Sequence, residues 1–174
     1  MNDLAPSSTS APIVAISLVK PAILPPVVMS SLDGIAPWHN QKAYLIPRGM
    51  IDPLLKVLQP GLDAIDGMFA PTDIEQVLEF LSTFATRRGF KLPEPRQLAM
   101  DALAISKAIP ADLFSLACRR LWETFAYRRL AETADFTRAI ETELRSRKNA
   151  AAALRGMKKQ LEGMNTPWMT ACAT

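Results

Sequence analysis

The sequence offers no readable cradle for a nucleotide phosphate. Its seven glycines form neither G-x-x-x-x-G-K-[ST] nor G-x-G-x-x-G, the spacings that bring backbone N–H groups close to phosphates. Histidine occurs once, at His39, so an imidazole metal site would need other ligand types, and no Cys/His group has zinc spacing. The G-x-S-x-G elbow and the H-E-x-x-H pair are both missing. A Ser-His-Asp triad would have to use His39, which lies among Pro37, Pro47 and other loop-type residues. Carboxylates are common, but no pair stands out for acid–base work. These absences point to a non-enzymatic protein that needs no cofactor.

The two cysteines, Cys118 and Cys172, are too sparse for a disulfide framework and fit a reducing, cytoplasmic setting. No long hydrophobic run survives inspection. The most apolar stretch, 11–29, is cut by Pro12, Pro21, Pro25 and Pro26, so no membrane span is expected. A secretory leader is not expected either, since Asp3 is acidic and no basic segment precedes the apolar run.

What is present is apolar and unevenly charged. Hydrophobic residues make up 49% of the chain, ample for a core, while the net charge is +3. Residues 51–112 hold six basic and nine acidic side chains, and residues 113–174 hold eleven basic and six acidic. A basic half joined to an acidic one suggests that the basic end meets an anion, or that it forms a solvated mixed face.

Seven of the fourteen prolines precede residue 50, so residues 1–50 read as a flexible, Pro-rich tail, extended or disordered. Its apolar segments, 13–19 and 22–29, are unusual for disorder and suggest docking on a partner or on the domain itself. From Ile51 the composition turns to helix formers. A short helix from Asp52-Pro53 is expected to end near Pro60-Gly61, followed by a turn or two around Leu62, Ile65, Met68 and Phe69.

The next helix is the best signalled: Thr72 and Glu75 form a T-x-x-E capping box, Ile74, Val77, Leu78, Leu81, Phe84 and Ala85 form one stripe, and Arg87-Arg88-Gly89 gives a basic last turn and a stop. A helix over about 94–108 follows, with Leu98, Ala102, Ile105 and Ile109 on its face. Pro110 then opens another that carries Phe114, Ala117, Cys118, Leu121 and Phe125 inward. After a break at 128–133, a last helix is expected from an N-cap at Thr133 to about Gly163. At ~30 residues it would be roughly 45 Å long, more than a small domain is wide. Its thin stripe of Ala151, Leu154, Met157 and Leu161 suggests an arm needing a partner helix. The fold reads as all-α: a bundle of four or five helices over 51–130, a protruding basic helix over 131–164, and flexible ends at 1–50 and 165–174.

Two groups of residues are candidates for contact with nucleic acid. The run Arg119–Arg129, R-R-L-W-E-T-F-A-Y-R-R, interleaves cations with rings as single-strand binders do, yet its helical spacing assigns Leu121 and Phe125 to the core and pairs Arg119 with Glu123. Arg145, Arg147, Lys148, Arg155, Lys158 and Lys159 form the stronger electrostatic candidate for phosphates or an acidic partner. Positions 145, 148, 155 and 159 share one helix face, whereas 147 and 158 lie partly around it. A helix-turn-helix is poorly supported, because the turn around Pro110 is too short.

The order of features from Leu103 to Leu161 resembles small all-α phage and prophage replication proteins, the helicase loaders and helicase inhibitors without an ATPase domain. Pro110, Leu113, Ala117 and Arg119 approximate the P-x-x-x-L-x-x-A-x-R helix of that group. Phe125, Tyr127 and Arg128 approximate its aromatic-basic stretch, and Ala134-Asp135-Phe136 stands at its A-E-L. Ala131 and Thr133 stand where the group has prolines, and the N-terminal half has no counterpart. The resemblance implies a non-enzymatic accessory protein that binds a replicative helicase and loads or restrains it. Two other readings stay open: a DNA-binding or packaging-type protein using the basic last helix on phosphates, and a helical protein self-associating through that helix.

Overall fold

The computed structural model describes residues 24–39 and 45–164. The chain is all-α: among the described residues it forms seven helices and no strand. They are α1 (Pro26–Ile35), α2 (Ile51–Gly67), α3 (Ile74–Arg88), α4 (Pro95–Ala108), α5 (Ala111–Thr124), α6 (Thr133–Ala139) and α7 (Glu141–Met164). The expected bundle of four or five helices is thus exceeded, though the class stands.

Helices α3 to α5 begin and end much as their sequences dictate. Asp73, one residue after the expected cap, accepts the Glu75 N–H at 3.0 Å, and Gly89 closes α3 in the left-handed conformation at φ 69°. Thr72 has another task. It is buried, its hydroxyl donates to the Ile109 carbonyl at 2.6 Å, and Ser106 donates its own hydroxyl to the Thr72 carbonyl. With Ala111 N–H on the Ala70 carbonyl at 3.0 Å, this knot ties the α2–α3 connection to the α4–α5 corner.

Two hydrophobic cores result. The first joins α3, α4, α5, α6 and the start of α7. Phe80 is its aromatic hub, with ring centroids 5.4–6.1 Å from Phe84, Phe114, Trp122 and Phe136. The second joins Val28 and Ile35 of α1, Leu54, Leu58, Leu62 and Ile65 of α2, and Ala150, Ala151, Leu154, Met157 and Leu161 of α7. Fully burying each large aliphatic side chain of such a core contributes about 1.5–3 kcal/mol before entropy is counted.

The two cores correct four expectations. Pro25-Pro26 does not keep the chain extended: Pro26 sits in the first turn, where no N–H is needed, and starts α1 within the expected flexible tail. The segment docks on the domain itself, whereas residues 13–19 lie outside the described ones. Pro60 does not end α2. The stripe Ile51, Leu54, Leu58, Leu62, Ile65 keeps its period across it, and Pro60 faces solvent, where water can satisfy the carbonyl it leaves without a donor.

The last helix is two helices, not one. Glu132 caps α6 in place of Thr133, and Ile140 (φ −122°, ψ 23°) breaks the run before α7. Finally, α7 is no protruding arm. Its thin stripe lies against α1 and α2, and Leu154 and Leu161 are fully buried. Small residues bring α1 and α2 together beneath it: Gly61 lies so close to α1 that an added Cβ would stand 2.5 Å from the Ser31 Cβ, while the Ser31 hydroxyl donates to the Val57 carbonyl at 2.7 Å.

Candidate nucleic-acid interface

The six cations singled out on the last helix go to different environments. Arg147 is completely buried at the seam between the two cores. Its guanidinium holds Asp112 of α5 through two bonds of 2.8 and 2.5 Å and donates to the Met68 carbonyl at the end of α2 at 2.8 Å. It is a structural tie and not a contact residue: the helix face that carries it is the one turned inward. Arg155 is exposed and pairs with Asp66, and Arg145 is exposed and pairs with Glu141. Lys158 is partly covered, 3.4 Å from the Gln59 amide oxygen and 3.9 Å from Glu162.

Lys148 and Lys159 are exposed and have no ion-pair partner among the described residues. Positions 145, 148, 155 and 159 do share the solvent face of α7, as their spacing requires. Lys148 and Arg155 border a shallow cleft of about 480 Å³ with Phe69 and Ala152. Two of the four exposed cations are neutralised by a carboxylate, which thins the field of this face.

A second basic site forms where α3 ends against α5. Here the fold brings together Arg87 and Arg88, visible in the sequence only as a helix stop, and the aromatic-basic run that follows Leu121. Arg88 donates to the Trp122 carbonyl at 2.9 Å and the Phe125 carbonyl at 3.1 Å, and its guanidinium lies 5.4 Å from the Phe84 ring centroid and 5.8 Å from that of Trp122. Arg87 stands 6.0 Å from the Trp122 ring. These partners are neutral, and neither arginine has an ion-pair partner among the described residues. Arg128 is exposed and unpaired among the described residues.

The core assignment of the run holds for Leu121 and Phe125, which are buried, and for half-buried Trp122. Arg119 does not form the expected pair with Glu123; Arg120 instead makes a two-pronged bond of 3.0 and 2.7 Å to Glu143. Tyr127 is the exception. It is 54% exposed, with Arg129 5.1 Å from its ring centroid and Phe125 edge-on at 5.3 Å. Beside it lies a cleft of about 330 Å³ bordered by Arg120, Thr124, Asp135 and Arg138.

Arg129 is fixed by bonds of 2.7 and 3.1 Å to Asp135. Burial pushes the Asp135 carboxyl up, but Arg129, the Glu132 N–H at 2.9 Å and Arg138 outweigh it and hold the group below the usual carboxylate range. Glu143 is held low as well, first by its bonds to Arg120. Both carboxylates therefore stay ionised as fixed counter-charges and do not serve as proton donors near neutrality. Burial pushes the Cys118 thiol up to about 12, so it carries no nucleophile.

Among the described residues no group of three or more His, Cys, Asp or Glu side chains is placed to hold a metal, and no helix is long and apolar enough to cross a membrane. Known protein families, curated proteins and solved structures give no match to this chain.

Proposed function

We propose that this protein is a non-catalytic DNA-replication accessory factor of the phage or prophage type, one that attaches to a replicative helicase and holds single-stranded DNA at the α3–α5 corner. The DNA part is carried by one observation: Arg88 donates to the Phe125 carbonyl, two residues before the exposed ring of Tyr127, Arg128 follows that ring directly in the chain, and no carboxylate among the described residues pairs with either cation or with Arg87. Cations beside an open aromatic face are what a sequence-tolerant single-strand site needs, because every base offers a π-face and every nucleotide a phosphate. The helicase part rests on the resemblance of residues 103–161.

Anisotropy with a fluorescent oligo-dT strand tests the first part. Tyr127→Ala removes one stacked base, a loss of about 1–3 kcal/mol, whereas Tyr127→Phe keeps it. Arg128→Gln lowers the slope of log K against log salt by about 0.7 if it meets one phosphate. Equal binding by wild type and Tyr127→Ala, or a preference for duplex, overturns the assignment. A second reading, duplex phosphates along the solvent face of α7, is favoured by Lys148 and Lys159, which have no ion-pair partner among the described residues; it requires Lys148→Gln with Lys159→Gln to lose DNA while Tyr127→Ala does not. A purified hexameric helicase that fails to retain the protein in high salt removes the helicase attachment. Self-association through the last helix has lost its surface, since the stripe that would serve it is covered by α1 and α2.

A further inference from the structure

Helix α4 has two apolar stripes. The buried one, Leu98, Ala102 and Ile105, packs into the first core. The other runs along the opposite side. Met100 is 59% and Leu103 43% exposed, with Ala99 and Ala104 beside them, and Arg96 and Lys107 at the two ends. Positions 96, 100, 103 and 107 follow i, i+4, i+7, i+11, a straight line along a helix. A methionine and a leucine at the centre of a solvent-facing helix gain nothing there, and this arrangement is what a helix-in-groove or helix-on-helix partner reads.

The flanking charges choose the occupant. Arg96 and Lys107 are exposed, and neither has an ion-pair partner among the described residues. A second copy of α4 laid parallel would set Arg96 on Arg96 and Lys107 on Lys107. Laid antiparallel, it would set Arg96 on Lys107. Both arrangements oppose like charges across an apolar seam, so the chain's own α4 is a poor partner. A helix with a central apolar pair and a carboxylate beyond each end, about 16 Å apart at 1.5 Å per residue, would match both apolar and charged positions.

We infer that the outer face of α4 docks an acidic, amphipathic helix of a partner protein, with Met100 and Leu103 as apolar anchors and Arg96 and Lys107 as the charges that set register. This goes beyond the reading above and does not depend on it, because it uses none of the residues of the DNA corner.

Two synthetic helical peptides of one apolar pattern, one flanked by Glu and the other by Lys at the matching positions, are titrated against the full chain by calorimetry. The Glu-flanked peptide is expected to bind roughly tenfold more tightly, the size of about 1.4 kcal/mol spread over two rim charge pairs. The charge-reversed Arg96→Glu/Lys107→Glu protein should invert the preference, and Met100→Asp/Leu103→Asp should abolish binding of either peptide with the helical circular dichroism unchanged, since both side chains already face water. Equal affinity for the two peptides, no binding of either, or binding that survives Met100→Asp/Leu103→Asp overturns the proposal. So does sedimentation showing a dimer that those two substitutions dissociate, which would make a second copy the occupant, or loss of oligonucleotide binding on the same substitutions, which would make it nucleic acid.

Discussion

Substitutions at Arg147 and Asp112 are expected to reverse the usual relation between burial and mutational cost. Arg147 is fully buried, whereas 52% of the Asp112 side chain is exposed. Surface carboxylates ordinarily change stability by less than about 0.5 kcal/mol when removed. Asp112→Ala is different, because the guanidinium left behind stays in the dry seam with the Met68 carbonyl as its remaining acceptor, and its Nε already lacks a partner. Breaking a wholly buried pair from one side costs about 3–5 kcal/mol; with half of Asp112 in water, about 2–3 kcal/mol is expected.

Arg147→Met leaves a carboxylate that can turn to solvent and a linear apolar chain in the seam. Its cost is chiefly the bond to the Met68 carbonyl, about 1–1.5 kcal/mol. The double variant should therefore resemble Arg147→Met and be more stable than Asp112→Ala alone, a coupling of at least about 1 kcal/mol. Urea unfolding followed at 222 nm gives all three values from one set of midpoints and slopes. If Asp112→Ala stays within about 0.5 kcal/mol of wild type, or if the two single costs simply add, Arg147 is not the tie between the cores.

Gly61→Ala sets helix propensity against packing. Propensity alone favours alanine by about 1 kcal/mol, but the added Cβ would stand 2.5 Å from both Cβ and Oγ of Ser31, so net destabilisation of about 1–2 kcal/mol is expected from overpacking. Gly67→Ala, with nothing within 4 Å, should be neutral or stabilising, and Ser31→Gly should rescue Gly61→Ala; a stabilised Gly61→Ala would refute the close approach of α1 to α2. Acid should weaken the fold through Asp135 and Glu143. Both are held below the range they have in the unfolded chain, so their contribution is complete above an unfolded pKa of about 4 and is lost as pH falls through the lower folded values. Glu143→Gln should be less stable than wild type at pH 7 and show a shallower loss on acidification below about pH 4; parallel curves for the two proteins would contradict the Arg120–Glu143 assignment.

The parts of this fold that were legible in the sequence are those whose signals are local. Helices α3, α4 and α5 each carry a start, a stripe and a stop within some fifteen residues, and α3 ends on Gly89 as its basic last turn and glycine require. Where a local signal has two meanings, the tertiary partner decides. Pro26 breaks a helix if preceded by one and begins a helix if not; α1 forms because Val28 and Ile35 find α2 and α7 to pack on. Thr72 is as good a cap as Asp73 in isolation, but Ile109, which accepts its hydroxyl, lies 37 residues away. The thin stripe of α7 looked like a surface awaiting another molecule because Ala150 and Ala151 register weakly as apolar. Their small size lets α7 pack against α1 and α2.

The candidate site follows the same logic with charge in place of shape. A sequence counts cations, while binding depends on how many remain uncompensated once the chain has folded. Of the six on the last helix, Arg147 is taken into the seam by Asp112, and Arg145 and Arg155 meet Glu141 and Asp66. By contrast, Arg88 turns its guanidinium onto two carbonyls and two rings, which orient it without cancelling its charge. Charge density along the chain therefore pointed at α7, whereas Arg87 and Arg88, which have no ion-pair partner among the described residues, stand where the end of α3 meets α5. An anion approaching this protein responds to that residual field, because paired charges cancel beyond their own separation and unpaired ones act out to a Debye length, about 8 Å at physiological ionic strength.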